Sequence, residues 1–228
     1  MNQNLKTNLI GIILIFLTFN LYGQDKIITG INTGLTYSDF RGNRFFENFD
    51  SELNYLIGVS IDFKISEKLF LSTDLNYEKK SVKLFYPESN VTNIFVGTPI
   101  GEAPKPIPDL KFQTKFQYFS IPIMVKYFFG KNLEFYVNGG PFLSYLLDVK
   151  NIDDGNESDL DFNDSFNKTD FGLTFGFGYN FEIDENNSIS IELRDNYGIN
   201  DNSKSNNSNF SSTKSNSVNL ILNWDFKL

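Results

Sequence analysis

The sequence predicts an all-β fold, an eight-stranded antiparallel up-and-down transmembrane β-barrel, and three observations carry that prediction. Apolar residues recur at every second position in eight stretches, as they must where one face of a strand meets an apolar phase and the other does not. Most stretches run to about ten residues, the length a tilted strand needs to cross a bilayer, roughly 9 to 11 residues; ordinary soluble strands are nearer five or six. The connections alternate between short and long, the pattern of barrels with tight turns on one side of a membrane and long loops on the other.

In chain order, the N-terminus comes first. Lys6, the apolar run from Leu9 to Phe19, and then Asn20, Leu21, Tyr22, Gly23 and Gln24 read as the three regions of a secretory signal, with cleavage after Gly23. The run is too short for a membrane anchor, for which roughly 20 residues are needed. Residues 1–23 are therefore expected to be a signal peptide. Residues 24–228 are expected to form one outer-membrane barrel domain, because 228 residues suggest no split into two.

The first stretch sets Ile27, Thr29, Ile31, Thr33, Leu35 and Tyr37 against Gly30, Asn32, Gly34, Thr36 and Ser38. The second sets Tyr55, Ile57, Val59, Ile61, Phe63 and Ile65 against Gly58, Ser60, Asp62 and Lys64. The third has Leu69, Leu71, Thr73, Leu75 and Tyr77 opposite Ser72, Asp74, Asn76, Glu78 and Lys80. Odd positions continue apolar in Phe119, Ile121, Ile123, Val125, Tyr127 and Phe129, then in Leu133, Phe135, Val137, Leu143, Tyr145 and Leu147. Phe171 to Phe181, Ile189 to Leu193 and Val218 to Phe226 complete the eight. Short turns are expected at Ser66–Lys68, Gly130–Asn132 and Asp184–Asn187, and long loops at Phe40–Asn54, Leu84–Lys111, Lys150–Lys168 and Asn200–Thr213.

Parity alone does not say which face is inside. A soluble barrel fills its interior with the apolar face, and a membrane barrel reverses the assignment. Strand length, the signal and the aromatic residues near strand ends, such as Tyr37, Tyr127, Tyr179 and Trp224, favour lipid. A narrow eight-stranded barrel then has room inside only for side chains. The charged residues Asp62, Asp74, Glu78, Lys80, Lys126, Glu134, Glu192 and Arg194 are expected to fill it as a paired polar network, since buried charges must be paired or hydrated. The alternative is a polar thread that leaks small ions or water. Pro122 and Pro141 have no backbone donor to give a closed ladder, so each is expected at a bulge or near a rim.

Composition excludes most chemistry. Aromatics reach 16%, with 25 Phe and 11 Tyr, which suits strands and membrane belts. The chain has neither Cys nor His, removing disulfides, thiolate sites, the commonest general base and the commonest transition-metal ligands. No catalytic, cofactor or metal site is assigned, and an enzyme is not expected. A formal charge of −8 disfavours nucleic acid, which requires a cationic face.

With the strands in place, the sequence resembles the PorT-like outer-membrane β-barrel family over essentially the whole mature chain. The likeness rests on Tyr118-Phe119-Ser120-Ile121-Pro122-Ile123 running into Lys126-Tyr127-Phe128, on Tyr136-Val137-Asn138-Gly139-Gly140-Pro141, and on Asp170-Phe171-Gly172 followed by Gly176-Phe177-Gly178-Tyr179. It implies that both prolines are family features and that no catalytic residues carry over. It further implies a barrel related to type IX secretion and gliding, or one with no assigned activity. Arg194-Asp195-Asn196-Tyr197-Gly198 departs from the family's more usual Arg-Tyr pairing.

The second long loop holds Pro87, Pro99, Pro104, Pro106 and Pro108, a stiff, extended segment that reads either as passive surface or as a docking surface. The third holds Asp153, Asp154, Glu157, Asp159, Asp161 and Asp164. Its calcium-loop register fails, because Asp164 stands where Gly is required, so it reads as a solvated acidic loop. The fourth, rich in Ser and Asn, is low-complexity. The expected setting is the outer membrane, with lipid as the principal partner, a monomeric barrel, and other envelope or secretion proteins as partners through the long loops. A structural, interaction or secretion-accessory role and a narrow porin-like channel both remain open.

Overall fold

The computed structural model describes residues 26–42, 49–86, 110–153, 155–157, 163–204 and 213–227. The signal segment, the five prolines of the second loop, Asp154, Asp159 and Asp161 of the third, and most of the Ser- and Asn-rich fourth lie outside the described residues.

Alternation produces nine strands: β1 (Ile27–Arg41), β2 (Asp50–Lys64), β3 (Leu69–Tyr86), β4 (Leu110–Phe129), β5 (Phe135–Asp153), the two-residue β6 (Asn156–Glu157), β7 (Thr169–Glu182), β8 (Asn187–Gly198) and β9 (Lys214–Lys227). The eight long ones pair antiparallel with their sequence neighbours, β7 joining β5 directly while β6 adds a short flap to β5. The first and last close the ring through β1–β9, with Leu35 opposite Leu220. Closure leaves no open edge, the condition for backbone to lie in hydrocarbon.

The side chains are sorted inside out. The alternating apolar residues, odd-numbered in the earlier strands and even-numbered in β9, face outward and remain exposed, Ile31 at 52%, Ile123 at 53% and Phe175 at 58%, while Asp62, Asp74, Glu78, Lys80, Lys126, Glu192 and Arg194 are buried. An outer surface carrying more than thirty such side chains far exceeds what a water-facing monomer leaves uncovered, and marks a membrane surface. Aromatic rows border it. At the turn end, Phe135 lies 5.8 Å from Phe129 and 4.9 Å from Tyr179 between ring centroids, with Trp224 and Phe226 5.1 Å apart; at the loop end, Tyr77 lies 6.4 Å from Tyr55 and 6.1 Å from Phe119.

Two expectations need correction. The turn between β4 and β5 does not end at Asn132. Gly130 (φ 99°) and Leu133 (φ 57°) are left-handed, so the chain reverses over a wider turn, and Leu133 is a turn residue and not an outward strand residue. Nor do Pro122 and Pro141 sit at bulges or rims. Both are inside their strands, with register kept on either side, and each instead interrupts a ladder. The β3–β4 pairing breaks between Thr73–Ile123 and Asn76–Ser120 around Pro122, and the β4–β5 pairing breaks between Pro122–Phe142 and Val125–Gly139 around Pro141. The freed carbonyl of Pro122 accepts a hydrogen bond from Thr73 Oγ1 at 2.8 Å. Gly140 allows the backbones to close on this seam, because a Cβ there would stand 2.0 Å from the Ile123 carbonyl oxygen. The irregularity of β4–β5 comes elsewhere, at Gln117–Tyr118, where the extra residue Leu147 shifts the alternation so that odd-numbered Val149 turns inward alongside even-numbered Leu146.

Candidate functional site

Among the described residues the bore gathers the buried charges, and it is layered. Nearest the turns, Lys126 Nζ meets Asp62 Oδ2 at 2.6 Å and lies 5.0 Å from the centre of the Tyr136 ring. Tyr136 spans the next layer, its hydroxyl donating to Glu192 Oε2 at 2.9 Å. Gly178 makes room for that ring, since a Cβ there would sit 2.2 Å from Tyr136 Cζ. At mid-bore, Arg194 donates through Nε to Glu192 Oε1 and through Nη1 to Asp74 Oδ2, both at 2.5 Å. All of these charges are buried, Arg194 at 3% and Glu192 at 0% exposure. Asp74 also accepts from Asn76 Nδ2 at 3.4 Å, whose Oδ1 in turn takes Asn32 Nδ2 at 3.2 Å. Charge-assisted contacts of this kind across β3, β4, β8 and β2 tie opposite walls together.

Above mid-bore the polarity falls. Lys80 lies 3.9 Å from Glu78 and 5.2 Å from the centre of the Tyr118 ring, and Glu78 accepts from Ser217 at 3.1 Å. Beyond them Phe40, Phe49, Val82, Phe116, Tyr118, Leu146 and Val149 form a buried apolar cluster, with Leu84 and Phe166 packed against it. The Phe40 and Phe116 rings are 4.6 Å apart and Phe166 meets Phe116 edge-on at 5.0 Å. This cluster fills the loop end. The turn end instead opens into a cup of about 560 Å³, lined among others by Asp62, Phe70, Phe128, Ser188 and Asp225.

Seven of the eight predicted interior residues, Asp62, Asp74, Glu78, Lys80, Lys126, Glu192 and Arg194, are buried in the bore. The eighth is a correction. Glu134 lies in the β4–β5 turn, where its carboxylate accepts the Asn132 backbone N–H at 2.8 Å; the left-handed turn carries it out of the strand before alternation could aim it inward. Sequence reasoning missed Asp170, buried against Ser215, and Asp225 at the cup. Both were visible as charges on the polar face of their strands, Asp170 beside outward Phe171 and Asp225 beside outward Trp224. It also missed the apolar plug: Phe116, Tyr118, Phe142 and Leu146 occupy even positions, and a test that scores odd apolar residues passes over them. Of the acidic third loop, Glu157 pairs with Lys150 at 2.7 Å and Asp164 lies in the 3-10 turn Asn163–Ser165; among the described residues no group of three acidic side chains converges as a metal site.

No curated protein matches the sequence. Among solved structures, the chain is similar to Neisserial surface protein A (16% identity, 88% of this chain and 97% of that one, TM-score 0.45). It is also similar to Ail, the attachment invasion locus protein of Yersinia pestis (11%, 88% and 99%, TM-score 0.42), and to the outer membrane protease OmpT from Escherichia coli (11%, 90% and 98%, TM-score 0.40). A family model described as an outer membrane protein beta-barrel domain matches residues 22–204. With a closed ring, an apolar outside and a charged inside already in view, that match over most of its length makes the chain a member of the outer membrane protein beta-barrel domain family.

Proposed function

We propose that the chain is a non-conducting barrel of the outer membrane that serves as a membrane-embedded anchor, presenting its long loops to other envelope proteins in a structural or secretion-accessory role of the PorT-like kind. The single observation that carries this reading is the filled bore. A conducting path would have to pass the Arg194 clamp and then the Phe40–Phe116 cluster, and the cluster offers an ion nothing in exchange for its hydration. The strands then act as scaffold, and activity belongs to the loops. The chain is not an enzyme in this reading: it has no His or Cys, and Asp62, Asp74 and Glu192 are committed to cationic partners.

Planar-bilayer recording on the purified barrel tests it. Absence of current steps at any voltage supports the anchor, and regular steps of fixed size contradict it. Recovery of a stoichiometric partner from mildly solubilised membranes supports the accessory role, whereas repeated recovery of the barrel alone counts against it. A second reading, a narrow channel for small ions, draws on one observation: Asn32 Oδ1, Asn219 Oδ1 and Asn223 Oδ1 are buried in the bore without a protein partner among the described residues, and such groups are satisfied by bore water. In that reading Phe116→Ala raises the conductance by thinning the plug.

A further inference from the structure

The outward wall at the loop end carries cations that the bore does not use. Beyond Tyr77 the outward positions of β3 are Lys79, Ser81, Lys83 and Phe85, and beyond Phe119 those of β4 are Gln117, Lys115, Gln113 and Lys111. The two strands bring four ammonium groups and no carboxylate to that face, in a chain whose formal charge is −8. The neighbouring acids are engaged. Glu52 of β2 accepts from Ser81 Oγ at 2.7 Å and from Gln113 Nε2, and lies 4.0 Å from Lys83. Asp148 of β5 accepts from Gln117 Nε2 at 3.4 Å and from Asn163 Nδ2 at 3.2 Å. Lys79 and Lys115 make no ion pair among the described residues. Lys79 Nζ lies 5.0 Å from the centre of the Tyr55 ring, which holds it against the aromatic row. Lys115 stands directly opposite Lys150 in the β4–β5 ladder, and like charges so placed are destabilising. Glu157 neutralises Lys150 at 2.7 Å, whereas Lys115 has no counterion among the described residues.

We propose that Lys79 and Lys115, on the outer wall of β3 and β4, dock the phosphate of an anionic lipid headgroup in the outer leaflet. Lys79 faces Gln117 and Lys115 faces Ser81, so the two lysines are diagonal neighbours, roughly 7–8 Å apart at the backbone, and one phosphate between them meets both ammonium heads. Their depth fits. Lys79 lies two residues beyond Tyr77 and Lys115 four residues beyond Phe119, about 7 Å and 13 Å of strand, shortened by tilt. The headgroup zone is roughly 5 to 8 Å thick on each side, and a lysine stem can bend along the wall to place its charge there. Clustered lysines at a membrane surface attract anionic lipid, and a zwitterionic headgroup brings its own ammonium to compete. The wall directly below, with Leu75, Phe119 and Ile121 outward, gives the acyl chains of the same molecule an apolar seat, which a free anion cannot use. Long loops face the outside of the cell in this family's topology, which assigns the lipid to the outer leaflet. The inference rests on the lipid-facing sidedness of the wall and is independent of whether the bore conducts.

Native mass spectrometry of the full-length barrel, carried in detergent and titrated with the phosphorylated glycolipid lipid A, tests it. Dephosphorylated lipid A and phosphatidylcholine serve as comparison lipids, and inorganic phosphate as a soluble competitor. Saturable binding of lipid A, weakened about tenfold or more in Lys79→Gln/Lys115→Gln and retained in Lys79→Arg/Lys115→Arg, supports the proposal. The paired variant Lys68→Gln/Lys131→Gln, which removes two exposed lysines at the turn end, is expected to bind as the unaltered barrel does. Both lysines of the proposed site point outward, so an unchanged strand signal in circular dichroism certifies the fold of the glutamine variant. Four results would overturn the inference: no preference for lipid A over its dephosphorylated form or phosphatidylcholine, full binding by Lys79→Gln/Lys115→Gln, an equal loss in the turn-end variant, or displacement of lipid A by an equal concentration of inorganic phosphate.

Discussion

At Arg194, one guanidinium holds two carboxylates from two strands, Asp74 in β3 and Glu192 in β8. A buried pair of this kind contributes little net stability compared with an apolar filling of equal shape, but removal of one partner leaves an uncompensated charge and costs about 3–5 kcal/mol. Arg194→Met is therefore expected to destabilise the barrel by about that amount, read as a lower midpoint for urea unfolding from lipid vesicles. Asp74→Asn, which leaves Arg194 with Glu192, is expected to cost less. The glycines beside the network act by space. In Gly178→Ala the new methyl meets the Tyr136 ring, and overpacking of this order costs about 1–3 kcal/mol. These residues were legible as charges and glycines at even positions. Their partners were not, because pairing depends on which strands face across the bore, and that follows from ring closure and stagger. Glu134 shows the limit from the other side. It is charged and even-numbered like its neighbours in the pattern, yet a left-handed residue one place earlier removes it from the strand.

Among the elements, turns and seams differ in how they were encoded. The β7–β8 turn is local: Asp184 accepts the backbone N–H groups of Asn186 and Asn187, both at 2.8 Å, and the Asn187 side chain at 2.9 Å. Those donors, the Asn187 side chain foremost, hold its carboxyl below the ordinary aspartate value of 3.8. With the folded value depressed, the turn's contribution is present above that ordinary value and is lost as pH falls through the folded one. Protection of the Asn187 amide against hydrogen exchange is thus expected to fall below about pH 4, and Asp184→Ala is expected to lower it at neutral pH while flattening the acid response. Strand extents were the least legible feature. The β4 strand begins at Leu110 and β3 runs to Tyr86, past the point where apolar alternation fades, because both continue above the membrane where neither face must be oily. The proline seam was legible only as a problem. The broken ladders around Pro122 and Pro141 predict faster amide exchange at Leu75, Ile123 and Met124 than at Ile31 and Leu222 in the unbroken β1–β9 pair. Pro122→Ala, which supplies the missing donor, is expected to slow exchange at its neighbours.

For the whole molecule, parity, strand length and loop asymmetry were enough to specify a closed ring of eight strands, because those periods are imposed by the bilayer itself. The plug was harder to see. Phe40, Phe116 and Leu146 stand at the inward even positions, where a search for odd apolar residues does not look, and Val149 joins them only because the bulge at Leu147 shifts the alternation by one. The distribution of polarity, polar at the turn end and mid-bore and apolar at the loop end, is what separates an anchor from a pore. All of it rests on one sidedness: the alternating apolar side chains, odd-numbered in the earlier strands and even-numbered in β9, meet lipid while the charges face the axis. The absence of cysteine from the sequence makes a direct measurement simple. Nitroxide labels attached to single cysteines at Val59, Ile123 and Leu220, and to others at Asn32, Ser120 and Asn219, can be read by electron paramagnetic resonance in lipid vesicles. High accessibility to oxygen with exclusion of a water-soluble nickel chelate at the first three sites, and low oxygen accessibility at the second three, is the expected result. Oxygen and chelate preferences exchanged between the two sets would contradict it.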